Sequence, residues 1–109
     1  MKGIGIDVVN TKKLSDKVAD KILSKKELIE FNSYLKDNKK RAMEFLAGRL
    51  ASKEAYLKAI GVSTYEGISL PDIAIYKNEY GEPKFKGAPN AHLSISHDAN
   101  LAIAIVVIE

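Results

Sequence analysis

The 109-residue sequence contains no cysteine and no long apolar segment. The absence of cysteine excludes disulfides, thiolate metal sites and a cysteine nucleophile. No apolar run approaches the roughly 20 residues that span a bilayer, and the N-terminus lacks the pattern of a secretory signal. We therefore expect a cytoplasmic protein without a membrane partner.

The common nucleotide-binding and hydrolase motifs are also missing. There is no Walker loop, and Gly3-Ile4-Gly5 lacks the third glycine and the following helix of a dinucleotide-binding fingerprint. No G-x-S-x-G elbow is present either. Any nucleotide would have to be held by side chains, for which the candidates are Arg49, Lys53, Lys58 and His97.

The composition is that of an ordinary globular protein, with 46% hydrophobic and 28% charged residues, and we expect one domain over residues 1–109. The net charge of +3 is unevenly distributed. Between Asn10 and Arg41, ten lysines and arginines stand against five acidic residues. Such a segment favours an acidic partner. Because aromatic interleaving and arginine clustering are lacking, we rank nucleic acid below an acidic protein.

The periodicity of apolar residues predicts an α+β fold, with helices in the N-terminal half packed on a small, mostly antiparallel sheet. Ser24-Lys25-Lys26-Glu27 has the pattern of a capping box at a helix start, and Gly61 fits a C-terminal helix cap. The predicted elements are a strand at 3–9, helices at 15–22, from 24 to near 37 and 40–60, and strands at 73–77, 83–85, 92–96 and 101–108.

The last predicted strand, 101–108, is an almost unbroken apolar run. A strand that is apolar on both faces is usually covered on both faces. A chain of this size has few helices for that purpose, so we expect a subunit interface to supply the second cover.

Segment 45–59, F-L-A-G-R-L-A-S-K-E-A-Y-L-K-A, predicts an amphipathic helix that carries Glu54 and Lys58 on or beside its apolar side. Burying ionisable groups is unfavourable without partners or a metal, so this placement indicates a site. The alternative is an ordinary helix-surface ion pair, since the two residues are four apart. Arg49 and Lys53 form a second pair at the same spacing, whose repulsion is best tolerated near an anion.

Asp7 lies in the middle of the first predicted strand, where aspartate is disfavoured. Ile4, Ile6 and Val8 form one face of that strand, and the face of Asp7 otherwise carries only glycine, which allows a close approach. Asp7 with Glu54, completed by waters and phosphate oxygens, would suit magnesium. The alternative is a partly exposed residue that caps the next turn.

Ser94, Ser96 and His97 suggest a nucleophile and a base, but neighbouring residues on a strand point to opposite faces. A Ser–His hydrolase is therefore disfavoured. We interpret His97 as a contact to a phosphate or a ribose at a strand end, with a turn cap formed together with Asp98 as the alternative.

Three motifs resemble, in order and spacing, those of the holo-[acyl-carrier-protein] synthases, the short bacterial type of 4′-phosphopantetheinyl transferase: G-I-G-I-D-V-V at 3–9, the segment 45–59 and S-I-S-H-D at 94–98. With I-L-S-K-K-E-L at 22–28 and G-E-P at 81–83, the resemblance spans nearly the whole chain. It implies transfer of 4′-phosphopantetheine from coenzyme A to a serine of an acidic apo acyl carrier protein, with release of adenosine 3′,5′-bisphosphate. It also implies homotrimers with active sites between neighbouring subunits.

At the matching positions, the resemblance implies that Asp7 and Glu54 hold Mg²⁺ and form the catalytic set with Lys58. Glu54 is also the candidate to activate the serine hydroxyl. The residues implied for coenzyme binding are Arg49, Lys58, Gly61 and His97. Those implied for docking of the carrier protein are Lys13, Lys17, Lys21 and Arg41.

Two other functions stay open at this point. One is a transferase that serves a different carrier protein, as in polyketide or peptide synthesis. The other is a basic module that binds an acidic protein or nucleic acid without catalysis, although such a module has no need of the two carboxylates of Asp7 and Glu54. The chain departs from the family in one segment, since only Lys84–Leu93 separate Pro83 from Ser94 where a longer helical stretch commonly helps hold the adenine and its 3′-phosphate.

Overall fold

The computed structural model describes residues 1–61 and 67–109. Within these ranges the chain forms five strands and three helices, which confirms the predicted α+β class. In chain order they are β1 (Gly3–Asn10), α1 (Ala19–Ile22), α2 (Lys25–Asp37), α3 (Lys39–Ile60), β2 (Ile75–Lys77), β3 (Pro83–Phe85), β4 (Ala91–Asp98) and β5 (Leu101–Ile108). None of the helices in these ranges has the length and apolar character needed to cross a membrane.

The two long helices begin and end at residues whose side chains or backbones satisfy free peptide groups. The capping box is confirmed: Ser24 Oγ accepts from Glu27 N at 3.4 Å, and Glu27 Oε1 accepts from Ser24 N at 2.8 Å. Asn38 ends α2 in an extended conformation, and its Oδ1 accepts from Arg41 N at 3.1 Å to start α3. Gly61 ends α3 with a φ of 97°, which favours glycine.

The main sheet is antiparallel and has the strand order β1-β5-β4, so the apolar strand β5 lies in the centre. Asp7 is opposite Ala104 in β5, which in turn is opposite Ile95 in β4. Strands β2 and β3 form a separate hairpin with Ile75 opposite Phe85. The strand predicted at 73–77 begins only at Ile75, because the backbone N–H of Ile73 closes a 3₁₀ turn by donating to Leu70 O.

Helix α3 lies directly on the sheet because β1 presents glycine to it. A Cβ on Gly3 would lie 2.0 Å from the carbonyl oxygen of Ala59, and one on Gly5 would lie 2.0 Å from that of Ala55. No side chain can occupy either position without separating the strand from the helix. The nearly bare face of β1 is therefore covered by α3.

Two apolar cores lie on opposite sides of α3. The first fills the space between α3, the sheet and the β2–β3 hairpin; its buried members include Ala51, Ala55, Phe85, Ala104 and Val106. The second joins α3 to the N-terminal helices; its buried members are Ala19, Ile22, Leu23, Phe31, Ala42 and Leu46. Because α3 contributes to both cores, it is packed around most of its circumference.

The other face of the main sheet is apolar and open in the described protomer. Ile4, Ile6 and Val8 of β1 are each more than half exposed, and Ile103 and Ile105 of β5 are exposed beside them. These residues share one face, since Val8 is opposite Ile103 and Ile6 is opposite Ile105. Strand β5 is thus covered by α3 on one side only.

Candidate active site

Asp7 projects from the sheet face that α3 covers, and there it meets Lys58. The ammonium nitrogen of Lys58 lies 3.2 Å from Asp7 Oδ1 and donates to the carbonyl oxygen of Ile6 at 2.9 Å. The Lys58 side chain is 55% exposed and that of Asp7 is 21% exposed. An ion pair with this exposure stabilises a fold little. Both groups are therefore accessible to other charged partners.

The contacts between β1 and α3 set the level of Asp7 along the helix. Gly3 lies against Ala59, and Gly5 lies against the preceding helical turn. Two strand residues and one helical turn advance by similar distances, about 6 to 7 Å and 5 to 6 Å. The same spacing brings Asp7 level with Ala51, and Glu54 lies three residues, about 4.5 Å along the helix axis, from that level. Glu54 itself is partly buried.

The structure corrects the prediction that Lys58 faces the packed side of the helix, because Lys58 is exposed. Its ion pair is with Asp7 on another element rather than with Glu54 on the same helix. The charged residues that α3 does bury are Arg49 and Lys53, which are 4% and 0% exposed.

The buried cations are accompanied by a buried carboxylate, that of Glu27. Lys53 Nζ lies 2.6 Å from Glu27 Oε1 and also donates to Ile22 O at 2.7 Å. Arg49 Nε lies 3.2 Å from Glu27 Oε2, which is an ion-pair distance, but the contact lacks hydrogen-bond geometry. Burial lowers the pKa of both Arg49 and Lys53, and the Glu27 carboxylate opposes that shift. The chain itself thus supplies the anion expected beside this pair.

A cavity of about 480 Å³ opens between the N-terminal half of α3, the β2–β3 hairpin and β4. One wall is made of stacked aromatic and cationic groups: the rings of Tyr34 and Phe45 meet edge to face at 5.4 Å. The guanidinium of Arg41 lies 4.3 Å from the centre of the Tyr34 ring, and that of Arg49 lies 4.6 Å from the centre of the Phe45 ring. Such a wall suits a ligand that is planar in one part and anionic in another.

His97 lies at the edge of this cavity, where β4 meets α3. Its Nε2 lies 3.1 Å from the carbonyl oxygen of Glu44. A Cβ on Gly48 would lie 3.1 Å from the same nitrogen, so glycine allows the imidazole to approach the helix. Ser96 belongs to the opposite face of the sheet, where it is opposite Ile103, and a Ser–His pair between these neighbours does not form.

The residues singled out in the sequence therefore form two groups at different positions along α3. Arg49 and His97 line the cavity, whereas Lys58 and Gly61 lie at the C-terminal end of the helix. Gly48 and Lys58 are ten residues apart, which corresponds to about 15 Å along a helix axis. Within one protomer the two groups therefore occupy different parts of the helix.

The residues expected to hold a metal provide two carboxylates, those of Asp7 and Glu54. Among residues 1–61 and 67–109, no three His, Asp or Glu side chains are grouped so that they could bind one metal ion. A metal at Asp7 and Glu54 would therefore need further ligands from water or substrate.

The predicted docking residues also lie at two different places, three near the end of β1 and one in the cavity. Lys13, Lys17 and Lys21 are exposed and follow one another at intervals of four residues. The residue after each of them is apolar and packs against the second core; these are Leu14, Val18 and Ile22. Arg41, in contrast, lines the cavity beside Tyr34. Three exposed lysines thus lie in the segment that directly follows β1.

Sequence reasoning missed Glu27, Tyr34 and Phe45 as parts of the site. The capping box identified Glu27 only as a helix cap, and its ion pair with Lys53 bridges 26 residues of sequence. Tyr34 and Phe45 carry no motif. Their one available signal was the concentration of aromatic and basic residues around the junction between α2 and α3.

Comparison with known proteins gives consistent relatives over nearly the whole chain. A family model described as the 4′-phosphopantetheinyl transferase superfamily matches residues 3–106. The holo-[acyl-carrier-protein] synthase of Geobacillus kaustophilus is 40% identical over 116 aligned residues, which cover 98% of this chain and 88% of the relative. That of Staphylococcus aureus (strain JH9) is 36% identical, covering 98% and 94%. The crystal structure of the Bacillus anthracis holo-(acyl-carrier-protein) synthase in complex with CoA (3′,5′-ADP) has a TM-score of 0.86 at 35% identity, covering 99% and 96%.

Proposed function

The chain belongs to the 4′-phosphopantetheinyl transferase superfamily, and on that basis we propose that it is a holo-[acyl-carrier-protein] synthase, with residues 1–109 as one catalytic domain. It transfers 4′-phosphopantetheine from coenzyme A to a serine of apo acyl carrier protein and releases adenosine 3′,5′-bisphosphate. The observation that carries this proposal is the contact of Lys58 with Asp7. Lys58 lies one helical turn after Glu54 on α3. That arrangement provides two carboxylates and an ammonium for a phosphoryl transfer.

The cavity beside Arg49 is assigned to the adenosine 3′,5′-bisphosphate part of coenzyme A. It offers the guanidinium groups of Arg41 and Arg49 for phosphates and a wall of aromatic rings for a planar base. His97 at its edge is placed to contact a phosphate or a ribose. The Bacillus anthracis relative, whose fold matches this chain, is in complex with CoA (3′,5′-ADP).

Mg²⁺ fits the residues that the family assigns to it. Asp7 is a partly exposed carboxylate that already has a cation, the Lys58 ammonium, 3.2 Å away. Carboxylates with waters and substrate phosphates form the usual oxygen shell of Mg²⁺. Asp7 and Glu54 are the residues that would hold it. When bound, the ion neutralises charge on the phosphate oxygens.

The chemistry requires the serine oxygen to form a bond to the β-phosphorus while the bond from that phosphorus to the bridging oxygen breaks, with the two oxygens in line. Negative charge increases on the oxygens around the phosphorus during this exchange. The Lys58 ammonium is exposed enough to leave Asp7 and donate to them. Positive charge placed where negative charge develops is typically the largest contribution to catalysis of this kind.

We further propose that the active protein is a homotrimer with sites between subunits. A sheet face formed by Ile4, Ile6, Val8, Ile103 and Ile105 is exposed in the protomer, and contiguous apolar patches of this kind indicate an interface. In a cyclic trimer, the Asp7 and Glu54 group of one subunit would meet the Arg49 and His97 cavity of its neighbour. This association would unite the two groups that lie apart in one chain.

The acidic carrier protein is proposed to dock on Lys13, Lys17 and Lys21. Their side chains are exposed in the segment that directly follows β1, the strand that carries Asp7. Docking there would bring the acceptor serine toward Asp7 and Lys58. Arg41 stays the least supported docking residue, because its guanidinium lies over Tyr34 in the cavity wall. A cytoplasmic location stays a prediction of the sequence.

The experiment that tests the proposal is intact-mass spectrometry of apo acyl carrier protein incubated with this protein and coenzyme A. We expect a gain of one phosphopantetheine with Mg²⁺ and none with excess chelator. Asp7→Asn and Glu54→Gln, which preserve side-chain size, should each abolish the gain while the circular dichroism spectrum is unchanged. Binding of the carrier protein without any gain in mass would instead favour the non-catalytic basic module.

A further inference from the structure

The Glu27 carboxylate makes more contacts than a helix cap requires. It is 2% exposed, and its Oε1 accepts from Ser24 N at 2.8 Å and from Lys53 Nζ at 2.6 Å. Its Oε2 accepts from Ile75 N at 3.3 Å and lies 3.2 Å from Arg49 Nε. One side chain of α2 is therefore joined to α3 and to the first strand of the β2–β3 hairpin.

Stability alone does not explain this buried group of charges. Replacing a buried ion network by well-packed apolar side chains is often neutral or stabilising, because desolvation offsets much of the attraction. An ordinary capping box requires only the contact between Glu27 and Ser24. The contacts to Arg49, Lys53 and Ile75 therefore call for another explanation.

The group has one more positive than negative charge, since Glu27 faces both Lys53 and Arg49. Lys53 is fully buried and directs its ammonium to Glu27 and to Ile22 O. Arg49 differs, because it lines the cavity with its guanidinium over Phe45. The Arg49 guanidinium, which Glu27 and Glu30 compensate in part, therefore faces the cavity, where an anionic ligand would also interact with it.

We propose that Glu27 is a positioning residue for coenzyme binding, which acts by holding Arg49 against the cavity wall. Glu27 thus orients Arg49 without touching the ligand. This inference rests on the transferase function proposed above.

The test measures binding of adenosine 3′,5′-bisphosphate by isothermal titration calorimetry. Glu27→Gln is expected to weaken binding about tenfold, with less than a twofold change in the KM for the carrier protein. The matched control is Asp37→Asn, which removes an exposed carboxylate from the same helix and should leave binding unchanged. If Glu27 acts through Arg49, the Glu27→Gln/Arg49→Gln double variant binds no more weakly than Arg49→Gln alone.

A second variant keeps the inference falsifiable if Glu27→Gln unfolds because two buried cations lose their counter-ion. Glu27→Gln/Lys53→Met removes one charge of each sign and keeps both the net charge of the chain and the excess charge of the group. We expect it to fold and to bind the bisphosphate about tenfold more weakly than the wild type.

Two results overturn the inference while leaving the transferase function intact: wild-type affinity in Glu27→Gln/Lys53→Met, or losses in Glu27→Gln and Arg49→Gln that simply add. Wild-type protein that does not bind the bisphosphate at all would overturn the transferase function and this inference together.

Discussion

The position of the His97 side chain depends on the absence of a Cβ at Gly48. A Cβ at that position would lie 3.1 Å from His97 Nε2 and 3.7 Å from Ile95 Cγ2. The first distance is too short for a relaxed contact, so the imidazole would have to move away from α3 and from Glu44 O. The backbone of α3 would accept a larger residue at position 48, but the position of His97 in the cavity requires glycine there.

Gly48→Ala should separate binding from stability. Alanine favours the middle of a helix over glycine by about 1 kcal/mol, which offsets the contact with His97, so the melting temperature should change little. Displacement of His97 should weaken binding of adenosine 3′,5′-bisphosphate severalfold in calorimetry. Adding Gly48→Ala to a His97→Ala variant should cause no further loss. Undiminished binding by Gly48→Ala would show that His97 does not need this position.

Residue roles were predictable where a motif was local and unpredictable where a partner was distant. Asp7 was identified correctly as an unusual strand residue, and the structure places it beside Lys58. The prediction that Lys58 is buried was wrong. Helix α3 is packed on two sides, so its sequence has no single apolar stripe from which the buried face could be identified. The true buried pair, Arg49 and Lys53, is explained only by Glu27, which lies in another helix.

At the scale of elements, the contact between β1 and α3 places Asp7 beside Lys58. Gly3 and Gly5 bring the strand to the helix backbone, where the distances leave no room for a methyl group. The bounds of the elements were largely predictable, because the capping box, Gly61 and the apolar run at 101–108 are local signals. The order β1-β5-β4 was not, because strand neighbours are set by packing across the whole chain.

Gly5→Ala should disrupt this contact. The added carbon would lie 2.0 Å from Ala55 O, so the strand must move away from α3. We expect a loss of at least about 3 kcal/mol in the free energy of unfolding, above the usual range for overpacking, because the clash is with backbone. Urea denaturation followed by circular dichroism measures it.

The control for Gly5→Ala is Ile29→Val on α2, outside the proposed interface, which should cost less than about 1 kcal/mol because Ile29 is 71% exposed. Equal stability of the two variants would contradict the close packing of β1 on α3.

The exposed lysines before α2, Lys13, Lys17 and Lys21, lead to a separate prediction about carrier-protein binding. Lys13→Glu should raise the KM for apo acyl carrier protein severalfold and leave the KM for coenzyme A unchanged, since Lys13 is exposed and outside the cavity. The difference should shrink as salt is added, because exposed charges are screened beyond about 8 Å at physiological ionic strength. Lys86→Glu, an identical charge change at another exposed lysine, serves as the control. If Lys86→Glu raises the KM for the carrier protein as much as Lys13→Glu does, the effect is due to net charge and not to docking at Lys13.

At the scale of the whole molecule, two features of the protomer point to the same assembly. The sheet face with Ile6 and Ile105 is apolar and exposed. Gly48, beside the cavity, and Lys58, beside Asp7, are ten residues and about 15 Å apart along α3. A trimer in which each interface buries the apolar face and joins the two groups would account for both. The sequence predicted a second cover over 101–108, and the family resemblance implied active sites between subunits, but only the structure gives the positions of the two groups along α3.

The most direct test mixes two variants, Glu54→Ala and the double variant Arg49→Gln/His97→Ala, which lacks two of the proposed coenzyme contacts. They are unfolded and refolded together in equal amounts, and the mass of apo acyl carrier protein is followed with coenzyme A and Mg²⁺. If each site takes Glu54 from one subunit and His97 from the next, random mixing in a cyclic assembly leaves about one quarter of the sites with both residues. We therefore predict that activity returns to about one quarter of the wild-type rate. Activity no greater than the sum of the two separate variants would contradict a shared site.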